Sequence, residues 1–218
     1  MNTNSHTGTP SNDDLRGTPD DDTLVGGKGD DTLLGQNGDD LLVGDGGDDL
    51  LRGEKGEDIL FGGKGNDTLL GGKGNDRLNG GDDDDVLKGA QGDDLIRGGS
   101  GNDLLRGDSG EDVLIGTDAY HAGFGEMDTL IGGRDGDTFV LGNATRGYYF
   151  GRGKSDFATI QGFDATEDTI QLNGFLLRRG LYSGRQVSNN RTDIFLLGDL
   201  VAVVDASFAE IQSAITVV

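Results

Sequence analysis

Cysteine is absent from the 218 residues, and histidine occurs only as His6 and His121. Without thiols the chain has no disulfide framework. Two imidazoles far apart in sequence also argue against a zinc site, so His121 reads as a loop residue. Long apolar runs are missing too. Residues 1–7 are polar, with no apolar stretch of seven or more, so neither a cleaved secretory signal nor a membrane span is expected. Positive charge is scarce: 18 Lys and Arg face 40 Asp and Glu, a net charge of −22. That balance repels nucleic acid and nucleotides, and no Gly-x-x-x-x-Gly-Lys-Ser/Thr phosphate loop is present. No acidic loop carries the terminal Glu that an EF-hand requires. Tyr120 beside His121 has no acid–base–nucleophile set around it.

What the chain does hold is glycine and aspartate on a fixed period. From Gly8 the form G-x-x-G-x-D-x-L-x repeats every nine residues for twelve units, the last starting at Gly107. Aspartate fills the sixth position from Asp13 to Asp112. Leu fills the eighth from Leu15 to Leu114, with Ile96 the only exception. Such a period is the signature of a solenoid. Three residues centred on Leu, such as Thr68-Leu69-Leu70, can form a short strand with the middle side chain inward. The other six must reverse the chain, and the first- and fourth-position glycines are expected to supply positive φ. Asn or Asp fills the fifth position in ten of the twelve units and also tolerates the left-handed region. The expected fold is all-β: a right-handed parallel β-roll with two nonapeptides per coil, unit n stacked on unit n+2.

Charge is this solenoid's difficulty. Residues 1–142 hold 32 acidic against 11 basic side chains, whereas 143–218 hold 8 against 7. Carboxylates stacked about 4.8 Å apart repel one another. Two Leu per coil offset little of the backbone entropy, roughly 1–2 kcal/mol per residue. A hard divalent cation between stacked turns resolves both problems, and calcium takes six to eight oxygens from carboxylates and carbonyls. Five gaps in each of two turn columns predict about ten ions, each adding about 1.4 kcal/mol at ten times its dissociation constant. Acidic, glycine-rich sequence is often disordered. The unbroken Leu register predicts disorder only for the metal-free chain.

The best-formed units, 26–31, 62–67, 71–76 and 98–103, resemble the nonapeptides of the RTX, or haemolysin-type calcium-binding, family. The resemblance implies Ca2+ between consecutive turns of a column, held by sixth-position aspartates and by backbone carbonyls of the first four positions. The aspartates are Asp22, Asp31, Asp40, Asp49, Asp58, Asp67, Asp76, Asp85, Asp94, Asp103 and Asp112. The glycines are Gly27, Gly29, Gly38, Gly47, Gly56, Gly63, Gly65, Gly72, Gly74, Gly92, Gly99, Gly101 and Gly110. Ser11, Asp20 and Asp83 replace the fourth-position glycine, and sites there are expected to be weaker.

After Ile115 the register breaks. Residues 116–131 exceed a unit by seven, which predicts a loop at about 117–125 outside the solenoid. An imperfect unit, 132–140, then closes a roll spanning 8–142, preceded by a flexible 1–7. Residues 143–218 read as a β-rich cap, with strands at 157–161, 168–172, 192–197, 200–204 and 215–218. A hairpin at Gly198-Asp199 and a helix capped by Ser207 are also expected there. The stretch from Asp156 to Leu172 resembles the segment after the repeats in secreted family members. The apolar ending 213–218 is similar to their uncleaved type I export signal, although it lacks an acidic residue just before the terminus. The resemblance thus implies a secreted, non-catalytic calcium-binding module acting at a surface or matrix. The alternative is a calcium-dependent polysaccharide-binding module using Arg16, Arg52, Lys88, Arg97 and Arg106 at ninth positions. Threonine at the second position is too rare for an ice-binding face.

Overall fold

A computed structural model describes residues 4–117, 126–141, 157–172, 182–188, 191–196 and 199–217. The chain alternates between two sheets. The first holds β1 (Asn4–Thr7), β3 (Asp22–Lys28), β5 (Leu41–Gly46), β7 (Ile59–Lys64), β9 (Arg77–Asp82), β11 (Leu95–Ser100), β13 (Val113–Thr117), β15 (Thr138–Val140), β17 (Thr169–Leu172) and β21 (Ile215–Val217), stacked in that order. The second begins with β2 (Asp14–Arg16), β4 (Thr32–Asn37), β6 (Leu50–Lys55), β8 (Thr68–Lys73), β10 (Val86–Gln91), β12 (Leu104–Ser109), β14 (Met127–Arg134) and β16 (Phe157–Gln161). It ends with β20 (Asp199–Val204), β19 (Arg191–Leu196) and β18 (Tyr182–Ser188).

Through the repeats every pairing is parallel and joins residue i to i+18, as in Leu24 with Leu42 and Leu33 with Leu51. Two nonapeptides therefore make one coil, and the fold is the expected β-roll. Eighth-position side chains from both sheets form one inner ladder. Leu24, Leu33, Leu42, Leu51, Leu60, Leu69, Leu87, Ile96, Leu105 and Leu114 are all fully buried. Each such side chain contributes roughly 1.5–3 kcal/mol of burial.

The strands are longer than the three residues expected. A typical one, such as Leu50–Lys55, runs on through the first three positions of the next unit. The ladder persists into the turn because fourth-position amides donate to third-position carbonyls one coil on, Gly47 N–H to Lys64 O at 2.9 Å for example.

Two turn assignments need correction. Positive φ falls on the second and fourth positions, as at Gly63 (121°) and Gly65 (110°), and not on the first. First-position glycine serves close approach instead: a methyl group on Gly62 would overlap Asp67 Oδ2 and Gly80 O. Fifth-position residues have no positive φ either. Their side-chain oxygens accept the fifth-position N–H one coil on, as Asp48 Oδ1 does from Asn66 N–H (2.8 Å) and Asp39 Oδ1 from Glu57 N–H (2.8 Å). Asp83 does adopt the fourth-position angle, with φ 80°.

The seven extra residues do not break the stack. Leu105 pairs with Leu130, 25 residues on, so the sheets resume in register. Of the expected loop, Thr117 ends β13, and 118–125, with Tyr120 and His121, lie outside the described residues. Both sheets then continue beyond the repeats: Leu130 pairs with Ile160, Phe139 with Ile170, and Ile170 with Ile215. Phe139 fills the core and meets Phe163 with ring centroids 6.0 Å apart. The hairpin read around 198 is present, with Leu196 opposite Asp199, while 197–198 lie outside the described residues. Helix α1 (Phe208–Ala214) starts after Ser207, whose carbonyl accepts the Ile211 N–H at 3.1 Å. Tyr148, Tyr149, Phe150 and Phe175 fall outside the described residues. Among the described residues no helix is long and apolar enough to cross a membrane.

Candidate metal centres between the coils

Each turn column carries a rail of buried aspartates. In one column the N–H of Asp31, Asp49, Asp67 and Asp85 donates to Oδ1 of Asp49, Asp67, Asp85 and Asp103 in turn, at 2.7–2.9 Å. In the other, Asp22, Asp40, Asp58, Asp76 and Asp94 donate likewise to Asp40, Asp58, Asp76, Asp94 and Asp112, at 2.7–2.8 Å. One carboxylate oxygen per residue is thus fixed by the neighbouring coil, and the other points into the gap between turns. That second oxygen, Oδ2, is buried without a hydrogen-bond partner on Asp31, Asp40, Asp49, Asp58, Asp67, Asp76, Asp85, Asp94, Asp103, Asp112 and Asp137. These side chains are 0–2% exposed. Asp22, in the first coil of its column, differs: its Oδ1 is the buried oxygen without a partner, which brings the orphaned carboxylate oxygens among the described residues to twelve. A buried polar atom left unpaired costs free energy, so these oxygens call for a counter-charge.

The gap beside each Oδ2 is lined by backbone oxygen. First-position carbonyls enter it from the following coil, as Gly62 O does toward Gly44 and Gly98 O toward Gly80. Second-position carbonyls enter from the preceding coil, as Asp45 O does toward Gly63, and fourth-position ones do the same, as Gly47 O does toward Gly65. In each case a Cβ on the facing glycine would fill the space that the oxygen lines. Among the described residues no three Asp, Glu, His or Cys side chains converge as a side-chain-only centre would need. Most donors must therefore be carbonyls, a hard all-oxygen set that suits Ca2+ with water completing the shell.

The acids are strained electrostatically. Burial, the largest effect, pushes Asp40, Asp58, Asp67, Asp85 and Asp137 up to about 7, partly offset by the backbone N–H each accepts and reinforced by neighbouring carboxylates. Asp94 and Asp103 reach about 8, Asp103 through burial and then the charge of Asp128. Asp49, Asp76 and Asp112 stand at about 6 for the same reasons. Burial also raises Asp31 and Asp168. A dication in the gap reverses this, since opposite charge favours the ionised form.

The aspartates read from the sequence all lie on these rails, and the second- and fourth-position glycines lie at the gaps. The rails run further than the repeats. Asp103 N–H donates to Asp128 Oδ1, Asp112 N–H to Asp137 Oδ1 and Asp137 N–H to Asp168 Oδ1, at 2.9, 3.0 and 2.9 Å. Sequence reading omitted Asp128, Asp137 and Asp168 because their spacings leave the nine-residue period; the imperfect unit 132–140 was the signal for Asp137. The basic ninth positions do not form a single stripe. Arg16, Arg52, Lys88 and Arg106 share the second sheet, whereas Arg97 sits on the first. Arg52 pairs with Glu54 (2.7 Å), Lys88 with Asp108 (2.9 Å), and Arg106 also with Asp108.

The match to a protein family agrees with this geometry. The family described as RTX calcium-binding nonapeptide repeat (4 copies) matches at 7–42, 34–69, 43–78, 61–96 and 88–119, more than half of the chain. No curated protein matches. Among solved structures, the crystal structure of extracellular lipase LipA from Serratia marcescens is similar at 17% identity and a TM-score of 0.27. That likeness covers 98% of this chain and 40% of the lipase chain, so this chain spans less than half of that relative's length. With the repeat match, the parallel coils and the oxygen-lined gaps together, the chain belongs to the RTX calcium-binding nonapeptide-repeat family and is a calcium-binding β-roll.

Proposed function

We propose that the chain is a non-catalytic module that folds as calcium enters the gaps between its coils, and that it works outside the cell. The observation that carries this is the row of buried aspartates with one oxygen bonded to the neighbouring coil and the other left unpaired. The residues that would hold the ions are those aspartates together with first-, second- and fourth-position carbonyls. Calcium, when bound, supplies the positive charge that lets these acids ionise in the interior. Without it, groups raised to about 7 or 8 are partly protonated at neutral pH and resist close stacking. Each coil's own apolar contribution is small, so folding and ion binding are one event.

Extracellular action follows from the same energetics. Scarce free calcium keeps the chain extended inside a cell, and abundant calcium folds it outside, as type I export of an unfolded chain demands. The non-catalytic reading is supported by the buried acids of the described residues, which all lie on the two rails. Acidic polysaccharide binding is the alternative, favoured by Arg16, Arg52, Lys88 and Arg106 sharing one sheet face. The acids paired with three of these four reduce their free charge. Calcium-dependent retention on immobilised polysaccharide would select that alternative.

Far-UV circular dichroism during calcium addition to chelated protein tests the main reading. Cooperative coil-to-β conversion is expected, with no comparable effect from equimolar magnesium, which keeps an octahedral, water-rich shell. A compact, protease-resistant chain in excess EDTA would overturn it.

A further inference from the structure

A single backbone angle separates the carboxylates whose Oδ2 is orphaned from those whose Oδ2 is bonded within its own turn; Asp22 belongs to the second group although its Oδ1 has no partner. In all eleven turns with an unpartnered Oδ2, the residue four before the aspartate has positive φ. This holds from Gly27 (110°) ahead of Asp31 to Gly133 (137°) ahead of Asp137, and even at Gln36 (92°) and Ala90 (96°). Three other turns, with Thr9, Thr18 and Asp164 in that place, have no positive φ there. In each of these the amide turns onto its own carboxylate. Thr9, Thr18 and Asp164 N–H donate to Oδ2 of Asp13, Asp22 and Asp168 at 2.6, 2.5 and 2.8 Å. The two threonine hydroxyls add second bonds at 2.9 and 3.0 Å.

Local sequence dictates the difference. β-Branched threonine is a poor occupant of positive φ, and Pro10 and Pro19 hold the preceding threonine in extended geometry. An amide four residues back, together with a hydroxyl, then supplies the partner that other turns lack. The gap beside such a carboxylate is otherwise built alike, with Gly26 O and Gly35 O in their usual places beside Gly8 and Gly17.

Resting on the calcium reading above, we propose that the second residue of each unit decides whether its turn takes a metal ion. The first gap of each column, at Asp13 and Asp22, is closed by its own Thr-Pro turn and holds none. The eleven open turns each take one, including a site at Asp137 that lies beyond the matched repeats. Asp168 closes its column in the way that the threonine turns open theirs. The roll is thereby tied off with hydrogen bonds at an end coil, and ions are confined to the interior gaps.

The test is the calcium stoichiometry of the loaded full chain, counted by native mass spectrometry and by equilibrium dialysis with elemental analysis. The wild type is expected to hold eleven ions. Thr18→Gly with Pro19→Lys, which installs the pair found at Gly63-Lys64, is expected to gain one. Asp137→Asn is expected to lose one, and Asp22→Asn to lose none. The reverse exchange, Gly63→Thr with Lys64→Pro, is expected to lose one, and the gain-of-site variant decides the matter if that protein fails to fold. An unchanged count in the Thr18/Pro19 variant, or a lost ion in Asp22→Asn, overturns the proposal while leaving calcium binding intact. A wild type that retains no calcium overturns the underlying reading instead.

Discussion

Truncating one rung of the leucine ladder measures how many ions act together. Leu69 is fully buried in β8, with Leu51 and Leu87 opposite it on the adjacent strands. Leu69→Ala leaves a cavity in a close-packed stack, at a cost of about 3 kcal/mol. If folding is coupled to n ions, that loss is recovered by raising free calcium by a factor of exp(ΔΔG/nRT), because each site contributes RT ln(1 + [Ca]/Kd). For eleven ions acting as one unit the factor is about 1.6; for two it is about 13, and for one about 160. Circular dichroism midpoints in calcium-buffered solution should therefore differ by less than twofold between the wild type and Leu69→Ala. A displacement of tenfold or more would refute the coupling and show that the ions load in small independent groups.

Three further outcomes are expected. Gly62→Ala places a methyl group against Asp67 Oδ2 and Gly80 O, so it should remove one ion, worth about 1.4 kcal/mol at ten times the dissociation constant, as isothermal titration would register. Ala90 holds φ 96°; Ala90→Gly should relieve about 1 kcal/mol of strain and raise the calcium-loaded Tm by about 2–4 °C in calorimetry. In EDTA the ten rail acids Asp40, Asp49, Asp58, Asp67, Asp76, Asp85, Asp94, Asp103, Asp112 and Asp137 carry pKa values raised from 3.8 to between about 6 and about 8, so the folded chain binds more protons than the unfolded one. Its stability is therefore greatest below about pH 4 and falls as pH rises through that window. Acidifying chelated protein from pH 8 to pH 5 should increase its β signal, whereas calcium affinity should weaken over the same interval. More β-structure at pH 8 than at pH 5 in EDTA would contradict the assignment.

The roll was legible because one side chain per nine residues has a single physical task. Leu at the eighth position can only face inward, and its unbroken recurrence fixes both the coil length and the i to i+18 pairing. The individual roles within the turn were harder to read. Glycine looks the same in sequence whether it is needed for positive φ, as at Gly63, or for close approach, as at Gly62, and only the backbone angles separate the two. Asp48 and Asn66 were read as turn formers, yet their side chains tie successive coils together, accepting from the Asn66 and Asp84 N–H groups respectively. Asp137 and Asp168 continue a rail at steps of 25 and 31 residues, which no fixed period reveals. Second-position threonine entered the sequence reading only as too rare for an ice-binding face; the bonds of Thr9 and Thr18 to Asp13 and Asp22 give those two a role.

The constant offset between paired residues has a kinetic consequence. All-β folds are usually slow because their strands join distant parts of the chain, yet here paired residues in the repeats are eighteen apart. Against the chain length that gives a relative contact order of about 0.08, within the range typical of helical bundles. Once ions are supplied, the search each new coil must make is local, so the roll can zip in milliseconds or faster although it is built from strands. A sheet protein assembled by short-range closure exposes unpaired strand edges only briefly, which limits its opportunity to aggregate while it forms.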